Sequence, residues 1–417
     1  ISDDLPGLAA LIGAHVAFLH TVTGIVIPLF VVSLMTRFFG ENKSFSEGLK
    51  VWKFAVFAAL AMTIPYIIVA NVLGPEFPSM LGGLIGLAIV IPAAKKGFLI
   101  PKDEVWDFPD KSKWDLEWIG KIEIKDVYAQ KGNISMARAW APYILVGLFL
   151  VLTRLETLPF KSLLQSVKLG MNNIFGSGIS TTFEIFYSPG TIFIIVTVIT
   201  FFLHGMTIEA YKKAWANSFK TAIAASTALI FTVPMVQVFL NSGGGAAGYA
   251  QMPIDLANGV AALVGGFWPI FAPLIGGLGA FIAGSNTVSN MMFSLFQYDV
   301  GTQIGVNPNW IVALQAVGGA AGNMICVHNV VAASAVVGLR GKEGPIIRKT
   351  LIPFSYYVLF AGGLGYSIVW FQQKGLFNIG TCIVIILAAA VCYIIATNRR
   401  RLARELTNAP TSLRKGS

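Results

Sequence analysis

A chain of 417 residues that is 55% hydrophobic and only 12% charged is not built like a soluble domain, where about 25% of residues carry charge. Its mean hydropathy of +0.71 and its recurring apolar runs of about 20 residues predict an all-α polytopic membrane protein. The net charge of +10 does not point to nucleic acid, because Lys and Arg fall in alternate loops, the pattern of cytoplasmic segments between membrane helices.

The first residues, Ile1-Ser2-Asp3-Asp4, hold neither an initiator Met nor a signal-peptide pattern, so the chain is expected to be part of a longer protein. Residues 1–94 read as N-terminal membrane helices, with spans over 12–36, 52–72 and 79–94. His15 and His20 lie in the first span, five residues apart and off a common helical face, so they are read as separate packing partners. Arg37, Lys43, Lys50 and Lys53 put the 37–53 loop in the cytoplasm, and the cation-free turn from Asn71 to Pro78 belongs outside. Residues 95–138 form a cytoplasmic or interfacial connector whose Trp106, Trp114 and Trp118, with Trp140 just beyond its end, suit the membrane surface.

Residues 139–240 return to the membrane with spans over 139–153, 190–204 and 221–240. Between them, 155–188 is expected outside and irregular, with Glu184 at the surface, and the loop carrying Tyr211, Lys212, Lys213 and Lys220 inside. The uncharged glycine-rich turn at 241–248 lies outside. Residues 350–397 supply two more spans, and 398–417 form a basic cytoplasmic tail. About nine full crossings result. Cys326, Cys382 and Cys392 lie in apolar segments and form no disulfide or zinc pattern.

The stretch 241–349 is expected to hold the binding site. It starts outside and ends inside near Arg340, Lys342, Arg348 and Lys349, so an odd number of crossings separates its ends. Three complete helices satisfy that parity. So does an interfacial helix at 254–264, a re-entrant hairpin at 266–299 and one broken helix at 309–338, and the repeated glycines, prolines and polar residues favour this second arrangement. The tip of that hairpin is Gly284-Ser285-Asn286-Thr287-Val288-Ser289-Asn290, expected near mid-membrane, and the break is Gly318-Gly319-Ala320-Ala321-Gly322-Asn323. Polar groups at membrane depth cost several kcal/mol each unless they are buried in protein or line a wet cavity.

A hairpin tip facing a helix break brings helix ends together away from lipid. Helix N-termini offer free N–H groups and partial positive charge to an anion, and free carbonyls with Ser, Thr and Asn oxygens suit a proton donor or a sodium ion. The candidate binding residues are therefore Ser285, Asn286, Thr287, Ser289 and Asn290 at the tip, Gly319, Gly322 and Asn323 at the break, and His328 and Asn329 beyond it. His328 is the local candidate for a proton-linked role, and sodium at the tip is the one metal considered. The glycine runs fit close helix packing equally well. No H-E-x-x-H, G-x-S-x-G or phosphate-binding loop is present, so no enzyme activity and no cofactor are expected.

The run from Gly318 to Ile325, the following His328-Asn329-Val330-Val331-Ala332-Ala333, and Val337-Gly338-Leu339-Arg340-Gly341-Lys342-Glu343-Gly344 resemble the L-lactate permease family, as does the segment from Gly284 to Phe293. The specific motifs cover about 276–349; elsewhere the likeness is in hydropathy and order of elements, and full-length relatives extend further at the N-terminus. The resemblance implies half of an inverted-repeat secondary transporter that moves lactate or a similar 2-hydroxymonocarboxylate such as glycolate with a proton. It also implies that Ser285-Asn286-Thr287 is the tip motif with which transporters of the wider ion-transporter superfamily hold carboxylate and cation. The chain departs from enterobacterial-type lactate permeases, which carry an acid at the place of Asn286, Lys at that of Asn323, and Ser-Pro-Gln where Val327-His328-Asn329 stands. Loss of an acid and a base together leaves sodium as an alternative coupling ion and a dicarboxylate or other organic anion as an alternative substrate. An anion channel is a further alternative, for which no charge ring is present. Expected partners are the small carboxylate and membrane lipid, with no nucleic acid; the oligomeric state is open, a homodimer being one option.

Overall fold

The computed structural model describes residues 5–101, 134–155, 158–176, 180–336 and 342–408. Trp106, Trp114 and Trp118 of the connector, the motif residues Val337 to Gly341, and the end of the basic tail lie outside the described residues. In chain order the helices are α1 (Leu5–Thr23), α2 (Ile27–Phe39), α3 (Phe45–Leu49), α4 (Trp52–Leu73), α5 (Pro78–Lys95) and α6 (Met136–Arg154). There follow α7 (Phe160–Gln165), α8 (Pro189–Leu203), α9 (Ile208–Leu240), α10 (Met252–Val264), α11 (Trp268–Ala283) and α12 (Asn286–Gln303). The last are α13 (Pro308–Gly322), α14 (Val327–Val336), α15 (Glu343–Val369), α16 (Phe371–Lys374) and α17 (Ile379–Asn408). Among the described residues, eight helical stretches are long and apolar enough to cross a membrane, and α8 is a shorter apolar helix. The protein is an all-α, multi-pass membrane protein.

The chain divides into two compact units, residues 1–123 with 228–417, and residues 124–227. In the second unit, the stretch expected to be irregular holds α7 and a two-stranded antiparallel pair, β1 (Leu169–Met171) and β2 (Thr181–Phe183), with Gly170 opposite Thr182. Glu184 closes this small structure: its carboxylate meets Lys168 Nζ at 2.9 Å and accepts from Gln165 Nε2 at 3.1 Å. The Lys168 bond, then the Gln165 bond, holds the Glu184 carboxyl below the usual carboxylate range. Its contribution to the turn is thus present at neutral pH and is lost as pH falls through that lowered pKa.

Two elements differ from the sequence reading for plain reasons. The first span is interrupted by a 3-10 turn, Gly24–Val26, because Pro28 at the start of α2 lacks an N–H and its ring clashes with the carbonyl four residues back. The loop expected around Lys212, Lys213 and Lys220 is instead the first part of α9, which runs unbroken for 33 residues. Residues 208–220 contain no Gly or Pro and are rich in Ala and Lys, which favour helix.

The core of the first unit forms where α11, α12, α13 and α15 meet. Ala272, Ile311, Ala313, Leu314, Val317 and Tyr366 are all at most 1% exposed. Small residues bring these helices together at backbone distance. A Cβ on Gly318 would fall onto the Pro273 carbonyl, one on Gly322 onto the Gly277 carbonyl, and one on Gly362 onto the Ile270 carbonyl. These pairs set α13 parallel to α11, and α15 antiparallel to it.

Candidate functional site

The link between α11 and α12 is two residues long. Gly284 ends α11 at φ +77°, a left-handed conformation that suits glycine, and Ser285 caps α12 with its Oγ accepting from Val288 N–H at 3.5 Å. Contacts between the two helices run Gly276 to Ser289 and Ala272 to Gln297, so α11 and α12 form an antiparallel helical hairpin with its tip at Gly284-Ser285. The arms have 16 and 18 residues, or about 24–27 Å at 1.5 Å per residue. That approaches the ~30 Å of a bilayer's hydrocarbon core.

Helix α13 lies along the hairpin and ends beside the tip. Its break falls at residues 323–326, later than the glycines that suggested it. Gly318, Gly319 and Gly322 remain helical and serve close packing: a Cβ on Gly319 would fall onto Asn286 Oδ1. Beyond the break, α14 starts at Val327, and the ring of His328 sits over the tip, since a Cβ on Gly284 would come within 2.7 Å of His328 Nδ1. Asn329 Nδ2 donates to Asn323 Oδ1 at 3.1 Å, which ties the two sides of the break together. The N-termini of α12 and α14 therefore converge at Gly284 and His328. The backbone N–H groups of the first turn of each helix have no intrahelical acceptor, so both ends favour negative charge in the same place.

The candidate residues separate into distinct roles. Asn286 and Asn290, one turn apart on α12, each bury a side-chain Oδ1 that has no hydrogen-bond partner among the described residues. A buried acceptor without a donor is costly, so this pair marks the unsatisfied capacity of the site. Thr287 and His328 are exposed at its edge. Ser289 is different. Fully buried, its Oγ donates to Gly276 O at 2.8 Å and accepts from Gln315 Nε2 at 3.0 Å, which leaves it committed to the hairpin itself.

Ser289 belongs to a network that sequence reasoning missed. Trp268 Nε1 donates to Gln297 Oε1 at 2.7 Å. Gln297 Nε2 donates to Gln315 Oε1 at 3.0 Å and to Ala272 O at 3.3 Å, and Gln315 Nε2 reaches Ser289. Gln297 and Gln315 are 0% exposed, and every amide proton in the pair is used. An uncharged, fully satisfied chain of this kind fixes one register between hairpin and α13. The signal in the sequence was Gln315, a lone glutamine in an apolar helical run, whereas Gln297 lies among other polar residues of α12 and did not stand out.

A family model described as L-lactate permease matches residues 3–371. A Haemophilus influenzae protein whose name carries L-lactate permease as a provisional assignment is 30% identical over 84% of this chain and 64% of its own length. An L-lactate permease of Bacillus subtilis is 25% identical over 89% of this chain and 66% of its own. A glycolate permease of Escherichia coli is 23% identical over 86% of this chain and 63% of its own. The chain thus spans slightly less than two thirds of the length of these relatives. No solved structure matches it.

Proposed function

The chain belongs to the L-lactate permease family, and from that premise we propose that the complete protein carries L-lactate, or a similar small 2-hydroxymonocarboxylate such as glycolate, across the cytoplasmic membrane together with a proton. The observation that carries this reading is the convergence of the α12 and α14 N-termini at Gly284 and His328, beside two amide oxygens that lack donors. A lactate carboxylate matches the N–H groups of the two helix ends, where partial positive charge stabilises an anion without a fixed cation. Its 2-hydroxyl supplies the donor that Asn286 Oδ1 or Asn290 Oδ1 lacks. Asn323 and Asn329 then act by holding the break in shape, Gly319 by making room for Asn286, and Ser289 and Gly322 by locking the hairpin. The family is one of permeases, so the protein is read as a carrier and not an enzyme. The basic end of α17 and the cations near Lys349 favour a cytoplasmic C-terminus.

A sodium-coupled carrier is the second reading, favoured by the same paired oxygens, which suit a hard cation as well as a hydroxyl. Proteoliposomes containing the complete protein separate the two. Under the lead reading, labelled lactate and glycolate accumulate when the inside is made alkaline, and excess unlabelled lactate competes while a dicarboxylate does not. Accumulation that follows only a sodium gradient replaces the proton; uptake that never exceeds equilibrium makes the protein a channel.

A further inference from the structure

A second polar cluster lies away from the hairpin tip, at the interruption of the first span. His20 lies in the last turn of α1, and its Nδ1 is 2.5 Å from the hydroxyl of Tyr357 on α15. The Tyr66 ring of α4 stands edge-on to the imidazole with centroids 6.2 Å apart. Within a turn, Thr23 Oγ1 and, from α4, Thr63 Oγ1 are buried with no partner among the described residues. The Tyr356 hydroxyl donates to Thr23 O at 3.2 Å, and Thr21 Oγ1 donates to Ala17 O and Thr63 O. Tyr66 also forms part of the wall of a cavity of about 380 Å³ that reaches Pro75 and Pro78. The titratable groups facing His20 are thus Tyr66 from α4 and Tyr357 from α15, with Tyr356 bonded to the nearby Thr23 carbonyl and His15 further along its own helix, stacked on Trp310 of α13. No carboxylate or cation pairs with it among the described residues.

We propose that His20, held by Tyr357, is the group that binds the coupling proton; this rests on the proton-symport reading above. In the tautomer whose Nδ1–H donates to the Tyr357 oxygen, the Nε2 lone pair is free to accept a proton. The proton bound there leaves the Nδ1–Tyr357 bond intact and turns the ring into an imidazolium with no counter-ion. An unpaired charge in such surroundings is strongly disfavoured, and so is an unaccompanied carboxylate at the hairpin tip. Each charge is therefore easier to accept when the other is present, and by linkage the proton raises the affinity for the anion as much as the anion raises that for the proton. A packed path leads toward the tip: Tyr357 is three residues from Phe354, whose ring would lie 2.6 Å from a Cβ on Gly277 of the hairpin, and Gly277 packs on Gly322, the last residue of α13 before the break.

The test compares wild type, His20→Gln and Tyr357→Phe as complete proteins in proteoliposomes. His20→Gln is expected to keep exchange of labelled for unlabelled lactate while losing roughly tenfold or more of the accumulation driven by a pH gradient. Tyr357→Phe, which removes the oxygen that favours the charged ring, is expected to move the pH midpoint of uptake downward by about one unit. Wild-type accumulation by His20→Gln, an unmoved midpoint in Tyr357→Phe, or joint loss of exchange and accumulation in both variants overturns the assignment. Absence of lactate uptake and exchange in the wild type itself overturns the transport reading, and this inference with it.

Discussion

Asn286 and Ser289 are three residues apart in one short motif, yet their surroundings give them opposite roles. Asn286 presents a buried oxygen with no donor among the described residues, and Ser289 has both of its hydrogen bonds filled, by Gly276 of the hairpin and Gln315 of α13. Asn286→Ala and Asn290→Ala are accordingly expected to abolish lactate uptake with little change in thermal stability, measured by uptake and by unfolding in detergent. Gln315→Leu should do the reverse first: it strands Ser289 and Gln297 and lowers stability by about 1–3 kcal/mol, visible as a lower melting temperature before any change in substrate preference. The density of polar residues from Ser285 to Asn290 made the tip legible, because such a run is unusual between apolar segments. Which members face outward was not legible, since that depends on the crossing of α12 with α11 and α13. Gln315 carried a weaker signal, one polar residue in an apolar run, and Gln297 carried less, being one of several polar residues along α12.

At the scale of elements, glycine is where the sequence was ambiguous. Gly318, Gly319 and Gly322 fit a helix break and a close helix contact equally well, and the contact is what they form: the neighbouring backbone of α11 occupies the space a Cβ would need. Gly318→Ala is therefore expected to cost about 1–3 kcal/mol through overpacking, and to reduce the yield of folded protein on size-exclusion chromatography. Glycines at the break would instead tolerate alanine. The real break at 323–326 follows the last of these contacts. The 3-10 turn at Gly24–Val26 was missed although Pro28 announced it, because the hydropathy of the first span runs through it without a dip.

Across the whole molecule, composition alone was enough for a multi-pass helical protein, because no soluble architecture can hide so much apolar surface. Loop charge and parity led to a hairpin followed by a broken helix, and the helices lie in that order from Trp268 to Val336. The form of the segment around Lys212 and Lys213 was misread, since a long helix carries the cations that a loop was expected to hold. The coupling ion could not be read at all, since carbonyl oxygens serve a proton donor and sodium alike. Accumulation of labelled L-lactate in proteoliposomes under an alkaline-inside pH gradient tests the central claim most directly, with wild type and Asn286→Ala compared side by side. The account predicts concentrative uptake that collapses with a protonophore and is absent from Asn286→Ala; uptake by the variant equal to wild type, or wild-type accumulation indifferent to the pH gradient, would contradict it.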